Sequence, residues 1–159
     1  MSARSRRVRR GLVGLALVVV ATTTVALATA APFPAQHFPL APVAGEPLRD
    51  GFVEVIHPDG PKVYAHHVYQ LNGARSSESY PVVISIWTSS LTCDAAPSFV
   101  LPVAEVQTNA AGTGRADAVH APELLDALGI RGRTIGGIVT LLRNGSPAYT
   151  TGCQVLELD

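Results

Sequence analysis

Turn chemistry recurs from Pro58 onward in this sequence, and it limits the segments between to short runs. Pro58-Asp59-Gly60-Pro61, Asn72-Gly73, Asn109-Ala110-Ala111-Gly112-Thr113-Gly114 and Asn144-Gly145 are the main punctuation. Pro presets φ and Gly permits φ > 0, so each of these reverses the chain for a stated reason. The intervening runs, 51–57, 63–71, 80–88, 99–107, 115–120, 134–142 and 148–158, are rich in Val, Ile and aromatics and alternate like strands. In the Tyr80 run, Val82, Ile84 and Ile86 fall on one face and Val83 and Trp87 on the other. Pro102 predicts that its strand is an edge or carries a bulge. Only Pro122–Gly129 has a helical pattern, with Pro early, acids in the first turn and Gly at the end. About seven strands and one short helix predict an all-β, immunoglobulin-like two-sheet sandwich.

The first thirty residues predict export. A basic stretch, Arg4, Arg6, Arg7, Arg9 and Arg10, precedes an apolar run from Leu12 to about Leu27. Small residues then follow, Ala28-Thr29-Ala30, the pattern a signal peptidase cleaves. The expectation is a signal peptide over residues 1–30, cleaved after Ala30. The alternative is an uncleaved helix that anchors the chain, the only membrane contact foreseen. Ser5-Arg6-Arg7-Val8 resembles a twin-arginine signal, but Arg9-Arg10 stand where apolar residues belong, so Sec and twin-arginine export both remain open.

Export changes the charge picture. The whole chain carries 12 basic and 12 acidic residues, but beyond residue 30 the balance is seven basic against twelve acidic, a net of −5. A mildly acidic product without clustered Lys and Arg argues against nucleic acid as a partner. Pro32, Pro34, Pro39, Pro42 and Pro47 predict an extended linker over residues 31–47, with Phe33 and Phe38 able to dock, and the domain then covers 48–159. Cys93 and Cys153 are the only cysteines, and outside the cytoplasm a structural disulfide between them is expected. Trp87 precedes both, unlike the Cys–Trp–Cys order of true immunoglobulin domains.

Chemistry-bearing residues are sparse. His66 and His67 are adjacent on a strand and point to opposite faces, so they cannot share an ion without a bulge. If Asp59-Gly60 pairs His57 with Lys62, His66 stands opposite Val53, and His57 and His66 are roughly 13 Å apart. Polar strand-face histidines are therefore expected, with no metal and no cofactor. No G-x-S-x-G occurs, and Ser76-Ser77-Glu78-Ser79 reads as a solvated loop, so no catalytic residue is assigned. Asp94, Asp117 and Asp126 can coordinate calcium in loops, but no EF-hand pattern joins them. Trp87 reads as core. Tyr64, His66 and Val68 share one strand face, opposite Ala65, His67, Tyr69 and Leu71, and form the candidate binding face.

Tyr69-Gln70-Leu71-Asn72-Gly73, Tyr80-Pro81-Val82, Cys93, the Thr108–Gly114 run, Tyr149 and Cys153 together resemble small secreted β-sandwich proteins of GC-rich Gram-positive bacteria. The T-N-x-x-G-x-G turn carries most of that likeness, which covers roughly residues 50–159. It implies fold and compartment and transfers no functional residue. The expected function is a secreted or cell-wall-associated, non-enzymatic binding module for an unknown protein or cell-envelope component. The alternative is an extracellular enzyme or metal-binding protein using the histidines and loop carboxylates.

Overall fold

Val53 and Val55, Tyr69 and Leu71, and Val82, Ile84 and Ile86 are all buried, and the residues between them are more exposed with few exceptions. That alternation builds two sheets that share one core. The computed structural model describes residues 35–43, 45–56 and 65–158. Within them the strands are β1 (Ala35–Pro39), β2 (Ala41–Pro42), β3 (Asp50–Ile56), β4 (Ala65–Asn72), β5 (Ser79–Trp87), β6 (Phe99–Gln107), β7 (Gly114–His120), β8 (Thr134–Arg143), β9 (Ser146–Thr150) and β10 (Gln154–Glu157). One helix, α1 (Pro122–Ala127), joins β7 to β8. The smaller sheet has the order β1-β3-β4-β7 and the larger β2-β9-β8-β5-β6, with β10 also pairing β8. The pairs are antiparallel, and the fold is an all-β two-sheet sandwich. Among the described residues no helix is long and apolar enough to cross a membrane.

The described residues hold ten strands where about seven were expected. Two of the extra strands come from the proline-rich stretch. Rather than a free linker, residues 35–42 cross from one sheet to the other, with β1 on β3 and β2 on β9. Leu40 between them is buried, and Phe38 packs on the core as its sequence allowed. The prolines fit because β1 and β2 are edge strands, where a missing N–H costs little. Glu46 then fastens the stretch, accepting from Arg75 Nε at 2.9 Å and Arg143 Nε at 3.0 Å. The third extra strand appears because the final run breaks at 151–153. β9 pairs the Thr140–Arg143 end of β8 and β10 the Thr134–Gly137 end.

The β3–β4 register also differs from expectation. His66 stands opposite Ile56, and Val53 opposite Tyr69. Directly opposed residues share a face, so a buried Val53 needs a buried partner. Pairing Val53 with His66 would have set the core side of one strand against the solvent side of the other. His57, Lys62, Tyr64 and the Pro58–Pro61 turn lie outside the described residues, as does the segment 1–30.

The T-N-x-x-G-x-G run is a structural knot between β6 and β7. Asn109 Oδ1 accepts from the N–H groups of Ala111 at 2.9 Å and Thr113 at 3.0 Å. Thr108 Oγ1 donates to Arg75 O at 2.7 Å and accepts from Glu78 N at 2.9 Å, fixing the preceding loop. Gly112 has φ 71°, and a Cβ there would lie 2.1 Å from Ala74 O. Pro102 sits both on an edge strand and beside the bulge at Val82/Val83, the two positions that tolerate it. Cys93 and Cys153 form a disulfide with Cα atoms 5.8 Å apart, inside the normal range. It ties the loop after β5 to the link between β9 and β10, and both ends belong to the larger sheet.

Candidate functional site

Three regions of the sandwich carry chemistry or an unusual surface. The outer face of the smaller sheet holds the expected binding residues. His66 Nε2 lies 3.1 Å from Asp117 Oδ1, and Arg115 grips the same carboxylate at 3.1 and 3.3 Å. Arg115 and, less, His66 hold the Asp117 carboxyl below the usual carboxylate range. His37 stacks near Phe52 with ring centroids 4.6 Å apart, one strand pair away. Tyr64 lies outside the described residues. Val68 is only 3% exposed, flanked in register by Glu54 and Asp117. It therefore cannot contribute contact area, and what this face offers a partner is a charged, hydrated surface around His66. Asp94 and Asp126 are spent locally. Asp94 accepts from Ser90 at 3.0 Å, and Asp126 from Arg131 at 2.9 Å. Neither shares a cluster with Asp117, and among the described residues no three His, Cys, Asp or Glu side chains group as a metal site.

The outer face of the larger sheet is different in kind. Register places Ser85 opposite both Ile138 and Val100, and Val83 opposite both Thr140 and Pro102. These six side chains share one side of the sheet, and none is charged. Val100 is 56% exposed. From strand spacing and rise, such a patch covers on the order of 200 Å². At one end Trp87, also on this side, is buried by the loop after β5, its indole N–H donating to Ala95 O at 2.7 Å. Trp87 is therefore buried as expected, but beneath a loop and outside the inter-sheet core.

Between the sheets, at the end roofed by α1, lies a cavity of about 40 Å³. Fourteen residues line it, twelve of them aliphatic, and the other two are His67 and His120. These imidazoles come from neighbouring strands and meet edge-on with centroids 4.8 Å apart. His67 Nδ1 lies 3.1 Å from the buried Tyr69 hydroxyl. Burial pushes the Tyr69 phenol up and the His120 imidazole down, in both cases toward the neutral form. His120 Nε2 is buried with no hydrogen-bond partner among the described residues.

The histidine pair was not foreseen, because the diagonal approach of His67 and His120 depends on the β4–β7 register. The charge-poor face, whose charged member on β6 is Glu105 opposite Pro81, had a visible signal. The β5 run carries no charged residue, and the β8 run has none before its terminal Arg143. That is unusual for strands with one solvent-facing side. Neither a family model, nor a curated protein, nor a solved structure matches this chain.

Proposed function

We propose that the chain is exported by its first thirty residues and acts outside the cytoplasm, secreted or at the cell wall, as a non-enzymatic binding module. Its partner is a protein with a surface of equally low charge, met by the outer face of β5, β6 and β8. The carrying observation is the contrast between the two outer faces. One bears the Arg115–Asp117–His66 network, the other the uncharged group Val83, Ser85, Val100, Pro102, Ile138 and Thr140. Stable complexes bury about 800 Å² per partner, so this patch is the centre of an interface whose rim reaches beyond it. A face with no Lys or Arg among these six residues, and with the acidic Glu105 opposite Pro81 at its margin, favours a protein over an anionic lipid surface or nucleic acid, which both recruit Lys and Arg.

The test places a photo-crosslinking residue at Val100, and separately at Val119 on the charged face, in the full chain expressed in its host. Crosslinking to one protein species from position 100, abolished by Ile138→Lys and absent from position 119, is the expected result. Equal capture from both positions, or capture of lipid alone, refutes the proposal. The mass of the exported product checks the leader, since a chain beginning at Ala31 is expected.

A further inference from the structure

The cavity beneath α1 stands apart from the outer face, and strand alternation shows why. On β6, Val100 and Pro102 face outward while Leu101 and Val103 face the cavity. We infer that this cavity is a binding site for the end of an aliphatic chain. Protein interiors leave few voids larger than a water molecule, so a space of this size between side chains at the core edge is itself informative. Water is a poor occupant here, because a buried water needs two to four polar partners and twelve of the fourteen wall residues are aliphatic, His67 and His120 being the two polar ones. Leu124 lines the cavity from α1 and is itself 40% exposed, so the space communicates with solvent beside the helix.

Size selects among apolar occupants. A cavity of about 150 Å³ is known to take benzene, so by proportion a space near 40 Å³ takes about two carbons and no ring. A linear chain satisfies that limit. Its tip enters between Ile84, Ile135 and Leu125, and the rest leaves past Leu124. No Lys, Arg, Asp or Glu lines the site, so the polar end of the ligand stays outside. The shared chemistry is an unbranched alkyl terminus, whether of a free fatty acid or alcohol or of a lipid in a bilayer.

The experiment titrates the full chain, carrying ¹³C-labelled Ile, Leu and Val methyls, with linear alcohols from 1-propanol to 1-octanol, with cyclohexanol, and with phosphatidylethanolamine vesicles. Saturable shifts confined to the cavity-lining methyls, Ile84, Ile86, Leu124, Leu125, Ile135 and Leu156 among them, are expected, with affinity rising up to about fourfold for each methylene buried in the cavity or against Leu124 and levelling off beyond. 1-Hexanol should bind at least tenfold more tightly than cyclohexanol. Leu101→Phe and Leu125→Phe should each abolish the shifts, and a retained thermal transition shows that the variant still folds. Vesicle binding lost in both variants identifies bilayer lipid as the source, and binding of the soluble alcohols alone identifies free chains. Scattered or non-saturable shifts, equal affinity for hexanol and cyclohexanol, or unchanged binding in the filled variants overturns the inference.

Discussion

Two glycines with similar backbone angles should tolerate alanine very differently. Gly112 has φ 71° and Gly145 has φ 78°, so both sit where an L side chain is strained. That strain costs about 1–2 kcal/mol at either position. Around Gly145 no heavy atom lies within 4 Å of a new Cβ, so Gly145→Ala should cost only the strain. At Gly112 the new carbon would lie 2.1 Å from Ala74 O and 3.0 Å from Ala74 C, both backbone atoms that cannot rotate away. The loop must shift by about 1.4 Å, since ordinary non-bonded contacts lie near 3.5 Å. That shift breaks the Ala74 N–H to Gly112 O bond at 3.0 Å and strains Gly112 N–H to Asn109 O at 2.9 Å. Each is worth about 0.5–1.5 kcal/mol, so Gly112→Ala should cost roughly 3 kcal/mol in all. At about 4 °C per kcal/mol for a domain of this size, the thermal midpoint should fall by about 12 °C, against about 4–8 °C for Gly145→Ala. Calorimetry on both variants beside the parent decides it. Equal losses, or a Gly112 variant as stable as the parent, would refute the close-approach argument.

Replacing Cys93 and Cys153 together by Ser should cost about 4 kcal/mol by the chain-entropy relation, given their separation of 60 residues, and urea unfolding reads it directly. His120 titrates below its ordinary value because it is buried. The unfolded chain takes up that proton first, so stability is whole above about pH 6.5 and falls as pH drops below it. His120→Phe should flatten that part of the urea-midpoint profile between pH 7.5 and 5, and an unchanged slope would exclude His120 as its source. Burial alone would raise the Glu46 carboxyl, but hydrogen bonds from Arg143 and Arg75 hold it below its ordinary value. Its contribution is present above about pH 4.3 and is lost as pH falls through the folded value. Glu46→Gln should therefore be less stable at pH 7, with the gap closing toward pH 3.

Alternation made much of the fold legible. Val82, Ile84 and Ile86 read as one face because period-two patterning is local, and they are buried in the core. Asn144-Gly145 read as a two-residue hairpin, and Arg143 pairs Ser146 across it. The cysteine pair was legible from its count alone. In the N-terminal stretch the prolines exclude helix and leave the chain extended, and only the open edges of β3 and β9 make Ala35–Pro42 into strands. The binding face was misjudged at Val68 for a related reason. Alternation gives the side a residue points to, while its exposure depends on the cross-strand neighbours Glu54 and Asp117.

The sequence by itself determined strands β3 to β8, the short helix, the turns at Asn109 and Asn144 and the bridged cysteines, because each depends on residues near one another or on pairing without choice. Tertiary structure alone decided the register that sets His67 beside His120, the cavity roofed by α1, and the joining of the charge-poor β5 and β8 with β6 into one face. Those features lie between strands distant in the chain, where contact follows from hydrogen-bonded pairing across the sheets and leaves no mark in any one segment.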